Sequence, residues 1–487
     1  MIKIEGKILL LHLILLVLVF FIKSPLLLVP VFVLVLSYFL LKKNYNIFLI
    51  AGVYSLCMNS ELVYYVYSIL VIILVFTINK NYTLMSFKKA KNKFKIFIIF
   101  LVIMYNVQLF YNYSLLSLPL FIITFLSPIA IFFLIGKLPK DQISIAYIIN
   151  NILMIAVAQL LIAFVFQAIP TGIGAILGRP TYGDRLQGTT GSSTNLSILL
   201  TCSILPFVLG IRSANYKRKE KLLIIIISIA FIAMIFLNDS KTYLYAVVLA
   251  FIILVFLNKF FMNARRATPI LASLVIITSL LFSMRIIDNT LNKIERDYRD
   301  YISGSYSAKT QYYLYSFSFD VRPFYEYIFG TGPGTNGSRA SNALAYDVMY
   351  KKENTVTLPS FIPPSSSDFT KKYLSGLFTE DYAENSGNRS ATLGNPFNSI
   401  CALFVEFGVV GFILFSMFLF SLVKTSLVQS DSGLSTAVFF IFLANLIIAF
   451  LIQTFETPMA MHFMYLFFGL NILNNGRNSN NQYLIND

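Results

Sequence analysis

The chain reads as an all-α polytopic integral membrane protein, with about fourteen transmembrane helices (12–14) and one large extracytoplasmic loop. Three observations predict this. Of the 487 residues, 57% are hydrophobic and only 12% charged, with mean hydropathy +0.74; soluble domains run near a quarter charged. The apolar residues fall in helix-length runs, too long and uniform for barrel strands. A single polar stretch, residues 287–395, interrupts them. A polytopic protein with mostly short connections and one very large loop places its chemistry at a membrane face.

The elements follow in order. The N-terminus, MIKIEGKILLLHLILLVLVFFIKSP, has a basic start and an apolar run but no small-residue cleavage site. Another apolar run begins at Leu26, so the first reads as an uncleaved span. The candidate spans are 8–22, 26–41, 46–59, 62–78, 96–111, 118–136, 143–169, 196–211, 222–237, 242–258 and 268–286, then 397–423, 434–452 and 459–473. Several are shorter than a perpendicular crossing requires, so their ends extend into polar flanks. The domain division is 1–286 for the first eleven helices, with a smaller periplasmic loop at 170–195. Residues 287–395 form the large periplasmic loop, 396–473 the last three helices and 474–487 a cytoplasmic tail.

Orientation follows from Lys and Arg in short loops. Lys80, Lys88, Lys89, Lys91, Lys93 and Lys95 cluster in one connection. Arg212, Lys217, Arg218, Lys219 and Lys221 cluster in a second, and Lys259, Arg265 and Arg266 in a third. With fourteen spans these share one side with both termini, the cytoplasmic side. The net charge of +16 is therefore topogenic, and nucleic-acid binding is the poorer explanation. The large loop falls outside and is close to neutral.

Cys57, Cys202 and Cys401 lie in apolar segments and give neither a disulfide framework nor a CxxC site. His12 and His462 are far apart, so no metal site and no cofactor is expected. His462 reads more simply as a satisfied structural residue than as a base. Outward-facing cations near the membrane are the informative residues: Arg179 and Arg185 in the 170–195 loop, Lys241 at the outer end of a span, and Lys309, Arg322, Arg339 and Arg389 in the large loop. A guanidinium fork holds phosphate oxygens bidentately and an ammonium adds a point charge. Singly, each reads equally as a solvated or snorkelling charge. GTGPG at 330–334 is a flexible turn that lacks the Walker lysine. Glu406 is a carboxylate inside an apolar run, which is costly and functional by default. The amphipathic run 309–330 reads as lying along the membrane surface. No nucleotide fold is visible, so any reaction must use a donor activated in advance.

Four segments, in order, resemble the O-antigen polymerase and ligase superfamily of bacterial inner-membrane glycosyltransferases. RLQGTTGSSTNLS (Arg185 to Ser197, with Asn195) is similar to its Arg, Gly and Asn pattern at the start of a span. LNDSKTYLYAVVLAFIIL is similar to its Ser-Arg/Lys motif and sets Lys241 at the basic position. KTQYYLYSFSFDVRPFYEYIFGTGPG resembles its basic residue, aromatic stretch and Gly-x-Gly turn, with Lys309 and Gly332. NPFNSICALFVEFGVVGF resembles its His-Asn, Glu-x-Gly closing motif, with Asn398, Glu406 and Gly408. Phe397 stands where His is usual, which favours a polymerase of O-antigen or capsule repeat units over a ligase.

The resemblance implies metal-independent transfer of a glycan from undecaprenyl diphosphate to the non-reducing sugar of a fresh lipid-linked repeat unit. Arg185, Lys241, Lys309 and Glu406 take the catalytic positions, and the first three hold the diphosphate. Arg179, Asn195, Arg322, Gly332, Arg339, Arg389 and Asn398 become substrate-binding candidates. Loop acids such as Asp381 or Glu384, or a tyrosine, are candidates to orient the acceptor. Partners are the undecaprenyl-diphosphate-linked oligosaccharide, membrane lipid, and a chain-length regulator and flippase of the same pathway. The alternatives are a lipid-linked oligosaccharide flippase or transporter, which should place its charges mid-membrane and show inverted repeats, and an O-antigen ligase.

Reporter fusions at Lys217 and Asn289 are expected to score on opposite sides of the membrane, with Lys217 inside. A cytoplasmic signal at Asn289 sinks the periplasmic assignment of the large loop.

Overall fold

The computed structural model describes residues 6–22, 24–58, 61–78, 84–110, 115–178, 185–210, 216–238, 240–261, 308–344, 366–374, 398–427 and 433–483. The described residues fold as helices, with no strand among them. In order these are α1 (Gly6–Phe21), α2 (Pro25–Leu41), α3 (Tyr45–Leu56), α4 (Glu61–Thr77), α5 (Met85–Phe110), α6 (Ser117–Phe121), α7 (Ser127–Lys137), α8 (Ile145–Ile162), α9 (Ile169–Thr171), α10 (Ile173–Gly178), α11 (Ser193–Gly210), α12 (Arg218–Leu237), α13 (Lys241–Phe261), α14 (Ala308–Phe317), α15 (Phe324–Phe329), α16 (Arg339–Leu344), α17 (Ser399–Leu427), α18 (Gly433–Ala449) and α19 (Pro458–Tyr483). Wider π-type turns at Ile122–Leu126 and Ala163–Ala168 join α6 to α7 and α8 to α9 into single rods.

Six of these rods are long and apolar enough to cross a membrane, and six shorter apolar helices accompany them among the described residues. The chain is thus a helical membrane protein. The eleventh expected span, 268–286, lies outside the described residues. So do Arg179, Arg389, Phe397, Asp381 and Glu384.

Burial separates core from periphery. The apolar window of α11 is 89% buried, that of α5 only 22%. The first half of α19 is buried throughout, Met459 to Leu473 inclusive, and packs on α7, α18, α11 and α3. α1 and α2 carry many exposed leucines and valines, as a lipid-facing edge requires. Phe94, Phe97, Phe121, Phe125, Phe133, Phe407, Phe415 and Phe418 interlock α5, the α6–α7 rod and α17 at centroid distances of 4.8–6.4 Å.

Close approaches sort the helix ends into two sets. Gly433 lies against the Gly210 backbone, Gly476 against Leu84, and Lys137 Nζ donates to Ile78 O at 3.0 Å. These belong to one end, which also carries Lys88 to Lys95 and Lys217 to Lys221. At the other end Gly334 lies against Ser117 O, and Gln108 Nε2 donates to Thr331 O at 2.9 Å.

Two local expectations are corrected, and one span runs longer than expected. The basic segment before the fifth span is helical from Met85, because Phe87, Ala90 and Phe97 keep one face buried through the lysines. The last helix runs on to Tyr483, ten residues past the apolar run 459–473. Part of the 170–195 connection is inserted among helices: Leu186, Thr189 and Thr190 are buried.

A Cβ at Gly433 would lie 2.4 Å from Gly210 Cα, whereas one at Gly174 meets nothing within 4 Å. Gly433→Val is expected to cost about 1–3 kcal/mol by overpacking. Gly174→Ala should leave thermal unfolding in detergent unchanged. Equal melting of the two variants would refute the close helix crossing.

Candidate functional site

The second end of the bundle carries two interlocks, each made from two of the segments singled out in the sequence. The first forms where α17 breaks. Gly408 has φ 61 and ψ −173 inside that helix. The carbonyls of Val405 and Glu406 therefore lose their helical donors. They accept instead from the loop after α15, Thr331 N–H at 2.9 Å and Gly332 N–H at 2.8 Å. Only glycine permits the approach: a Cβ at Gly330 would lie 2.3 Å from Glu406 O, and one at Gly408 would lie 2.4 Å from Gly330 N.

The Glu406 carboxylate turns into this same loop. Oε2 accepts the Gly334 N–H at 2.9 Å and Oε1 the Asn336 N–H at 2.8 Å. Ser338 donates from its amide and hydroxyl. The backbone cradle at 330–338 is thus filled by the protein's own anion. Fully buried, Glu406 organises a loop in this structure and faces no open surface.

Further contacts pin the loop. Asn336 Nδ2 donates to Tyr312 OH at 3.1 Å, and Thr370 Oγ1 donates to Asn336 Oδ1 at 2.7 Å. Ser367 N–H donates to Thr335 O at 3.1 Å. On the far side, Gln453 Nε2 donates to Gly337 O, and the Arg339 N–H donates to Glu456 Oε2 at 2.6 Å. α14 and α15 pack on α17, with Tyr312 buried, so one face of the run 309–330 is docked on protein, while Phe319, Phe324 and Tyr325 stay exposed.

The second interlock joins 185–197 to 238–240. Gln167 Oε1 accepts the Gln187 and Gly188 amides at 2.8 and 2.9 Å, and its Nε2 donates to Gly188 O at 2.8 Å. Gln159 Oε1 accepts the Thr189 N–H at 2.8 Å. Asn238, fully buried, donates to Ser193 O at 3.0 Å and to Ser197 Oγ at 2.9 Å, and accepts from Ser240 N–H at 3.2 Å.

The individual candidates are placed as follows. Arg185 is exposed at the start of the inserted loop, and Asn195 Nδ2 holds that loop by donating to Thr190 O at 3.2 Å. Lys241 and Lys309 stand in the first turns of α13 and α14. Arg339 is half-buried at the start of α16. Gly332, with φ +95, has Gln108 where a Cβ would be. Asn398 caps α17 by accepting the Cys401 N–H at 2.9 Å. Arg322 is buried. Its Nη2 donates to Ser316 O at 2.6 Å, and its guanidinium carbon lies 5.3–5.5 Å from the Tyr327, Phe369 and Phe404 ring centroids. Stacking on three rings offsets part of the cost of burying that cation. Arg322 thus pins α14 and α15 to α17.

Sequence reading missed Gln108, Gln159, Gln167 and Glu456. Polar side chains inside apolar runs are themselves a signal, and three amides in MYNVQLF, AVAQLL and FVFQAI carried it. His462 is buried against Tyr64 and Tyr67 at 5.8 and 6.0 Å. Neither ring nitrogen has a hydrogen-bond partner among the described residues, unlike the satisfied histidine expected. No group of three or more His, Cys, Asp or Glu that could hold a metal ion occurs among the described residues. Compared with known proteins, the chain matches no family model and no curated protein.

Glu406→Gln swaps one acceptor oxygen for a donor that faces a backbone N–H. It is expected to destabilise the protein by about 1–3 kcal/mol, and Gly330→Ala by at least as much. Thermal unfolding in detergent and protease cleavage within 330–344 measure both effects. Wild-type behaviour of the two variants would dissolve the interlock.

Proposed function

We propose that this protein is a polysaccharide polymerase of a bacterial inner membrane. It joins undecaprenyl-diphosphate-linked repeat units into O-antigen or capsule polymer at the outer face. The observation that carries the reading is the pairing just described: the four segments whose order resembles the polymerase and ligase superfamily interlock two by two at one end of the bundle. The first segment binds the second through Asn238 and Ser193. The third binds the fourth through Glu406 and Gly334. That end is opposite the lysine-rich end. Cationic residues there, Arg185 and Arg339 together with Lys241 and Lys309, suit an anionic lipid headgroup.

In this reading the growing glycan is the donor. Its reducing-end sugar passes to the non-reducing sugar of the incoming unit, and undecaprenyl diphosphate leaves. Arg185, Lys241 and Lys309 hold the diphosphate and stabilise the charge that develops on it. Glu406, Arg322, Gly332 and Asn398 act one step back, by shaping the loops.

The test uses purified protein in liposomes with lipid-diphosphate-linked repeat units and no nucleotide. Longer lipid-linked glycan is the expected product, in the presence of EDTA as well. Arg185→Ala and Lys241→Ala each remove a charged contact worth about 1.5–3 kcal/mol, or about 10- to 150-fold in rate. Arg185→Lys should recover part of the loss, because the fork is gone but the charge remains. Transbilayer movement of repeat units without elongation would replace this reading with a flippase. Elongation that demands a lipid A core acceptor would replace it with a ligase.

A further inference from the structure

Glu456 is the second buried carboxyl beside the 330–339 loop, and it is bound differently from the first. It ends the Thr454–Glu456 turn between α18 and α19 and is 2% exposed. Oε2 accepts the Arg339 N–H at 2.6 Å, while Oε1 is buried with no hydrogen-bond partner among the described residues. An unpaired carboxylate oxygen in a buried site is costly, and its natural complement is a proton or a donor from a ligand. Among the described residues, the charged and titratable groups that face it are few. Glu406 on α17 and Arg339 on α16 act on it, and Tyr312 on α14 feels its charge. α18 and the Ile122–Leu126 turn carry no titratable side chain, and the first on α19 is His462. Burial and then Glu406 push the Glu456 carboxyl up to about 8; the Arg339 amide and charge oppose that rise. A base is most effective near the working pH.

We propose that Glu456 is the general base of the transfer: Oε1 takes the proton of the acceptor hydroxyl while the Arg339 N–H fixes Oε2. This rests on the polymerase reading above. The acceptor oxygen bonds to the donor's anomeric carbon, and the bond from that carbon to the diphosphate breaks. The electron pair leaves with the diphosphate, and the hydroxyl proton passes to Oε1. Oε1 is enclosed behind Gly337–Arg339, a stretch that Gln453 and Glu456 tie to the same turn, and the acceptor must displace that stretch to reach it.

Glu456→Gln decides the matter. Its amide oxygen still accepts from the Arg339 N–H, so folding is retained while the basic oxygen is lost. In the liposome assay, turnover is expected to fall about 100-fold or more, with KM near wild type. The activity limb that rises toward pH 8 should disappear. Glu456→Asp should keep part of the activity, with the limb displaced along the pH axis. Wild-type rate and pH profile in Glu456→Gln overturn the assignment and leave the polymerase reading intact, as does a slow variant that keeps the limb. Failure of the wild-type protein to elongate overturns both. If Glu456→Gln fails to fold, Glu456→Asp decides: a displaced limb supports the base, an unchanged one overturns it.

Discussion

The end of the bundle that carries the 330–338 loop depends on one break in one helix. At Gly408 the backbone of α17 leaves helical geometry, which strands two carbonyls inside an apolar bundle. An unsatisfied backbone group in that setting costs several kcal/mol, so such a break survives only where other protein donors meet it. The 330–338 loop supplies them from Thr331 and Gly332, and its own amides at Gly334 and Asn336 are met in turn by Glu406. The exchange is reciprocal: helix carbonyls take loop amides, and a helix carboxylate takes the next loop amides. Neither partner holds its shape without the other. The requirement for glycine at 330 and 408 follows from the backbone distance that this exchange imposes.

The same device recurs, with neutral side chains, at the other interlock. Gln159 and Gln167 offer an acceptor and a donor to the backbone of 187–189, so a polar loop is inserted among helices without charge. Gln167 lies on the π-type turn Ala163–Ala168, and a second such turn, Ile122–Leu126, packs near α16 and the Thr454–Glu456 turn. Wide turns of this kind shift the register of the following helix and concentrate at functional sites. Both occur beside the two loops that enter the bundle.

The helical membrane class was legible because it depends only on run length and charge, and both are written locally. Helix ends were less so. Lys88 to Lys95 read as a loop by charge, yet the buried face at Phe87, Ala90 and Phe97 carries the helix through them. At the site, the positions that mattered in sequence order, Gly330 to Gly334 and Glu406 to Gly408, do meet. Their partnership was invisible because they lie more than 70 residues apart, and a short motif does not encode which amides will face which carboxylate. The flexible glycine turn at 330–334 is an anion cradle, occupied by Glu406. Arg322 looked like its neighbouring cations, and only the three rings around it assign it to packing.

Glu406 and Glu456 show how one residue type divides into two roles. Both are buried carboxyls on adjoining elements, and both bind the same loop through backbone N–H groups. The difference is the number of donors. Glu406 has donors on both oxygens, so its charge is spent on holding backbone, and exchanging it for a proton acceptor's role would release the loop. Among the described residues, Glu456 has a donor on one oxygen only. Its second oxygen is left with the affinity for a proton that burial and a neighbouring carboxylate confer. Saturation by amides marks the structural carboxylate, and the incomplete shell marks the one that can do chemistry. The arginines at this end divide by exposure instead: Arg322 is enclosed by aromatic rings, with its Nε and Nη1 lacking hydrogen-bond partners among the described residues, whereas Arg185 is exposed.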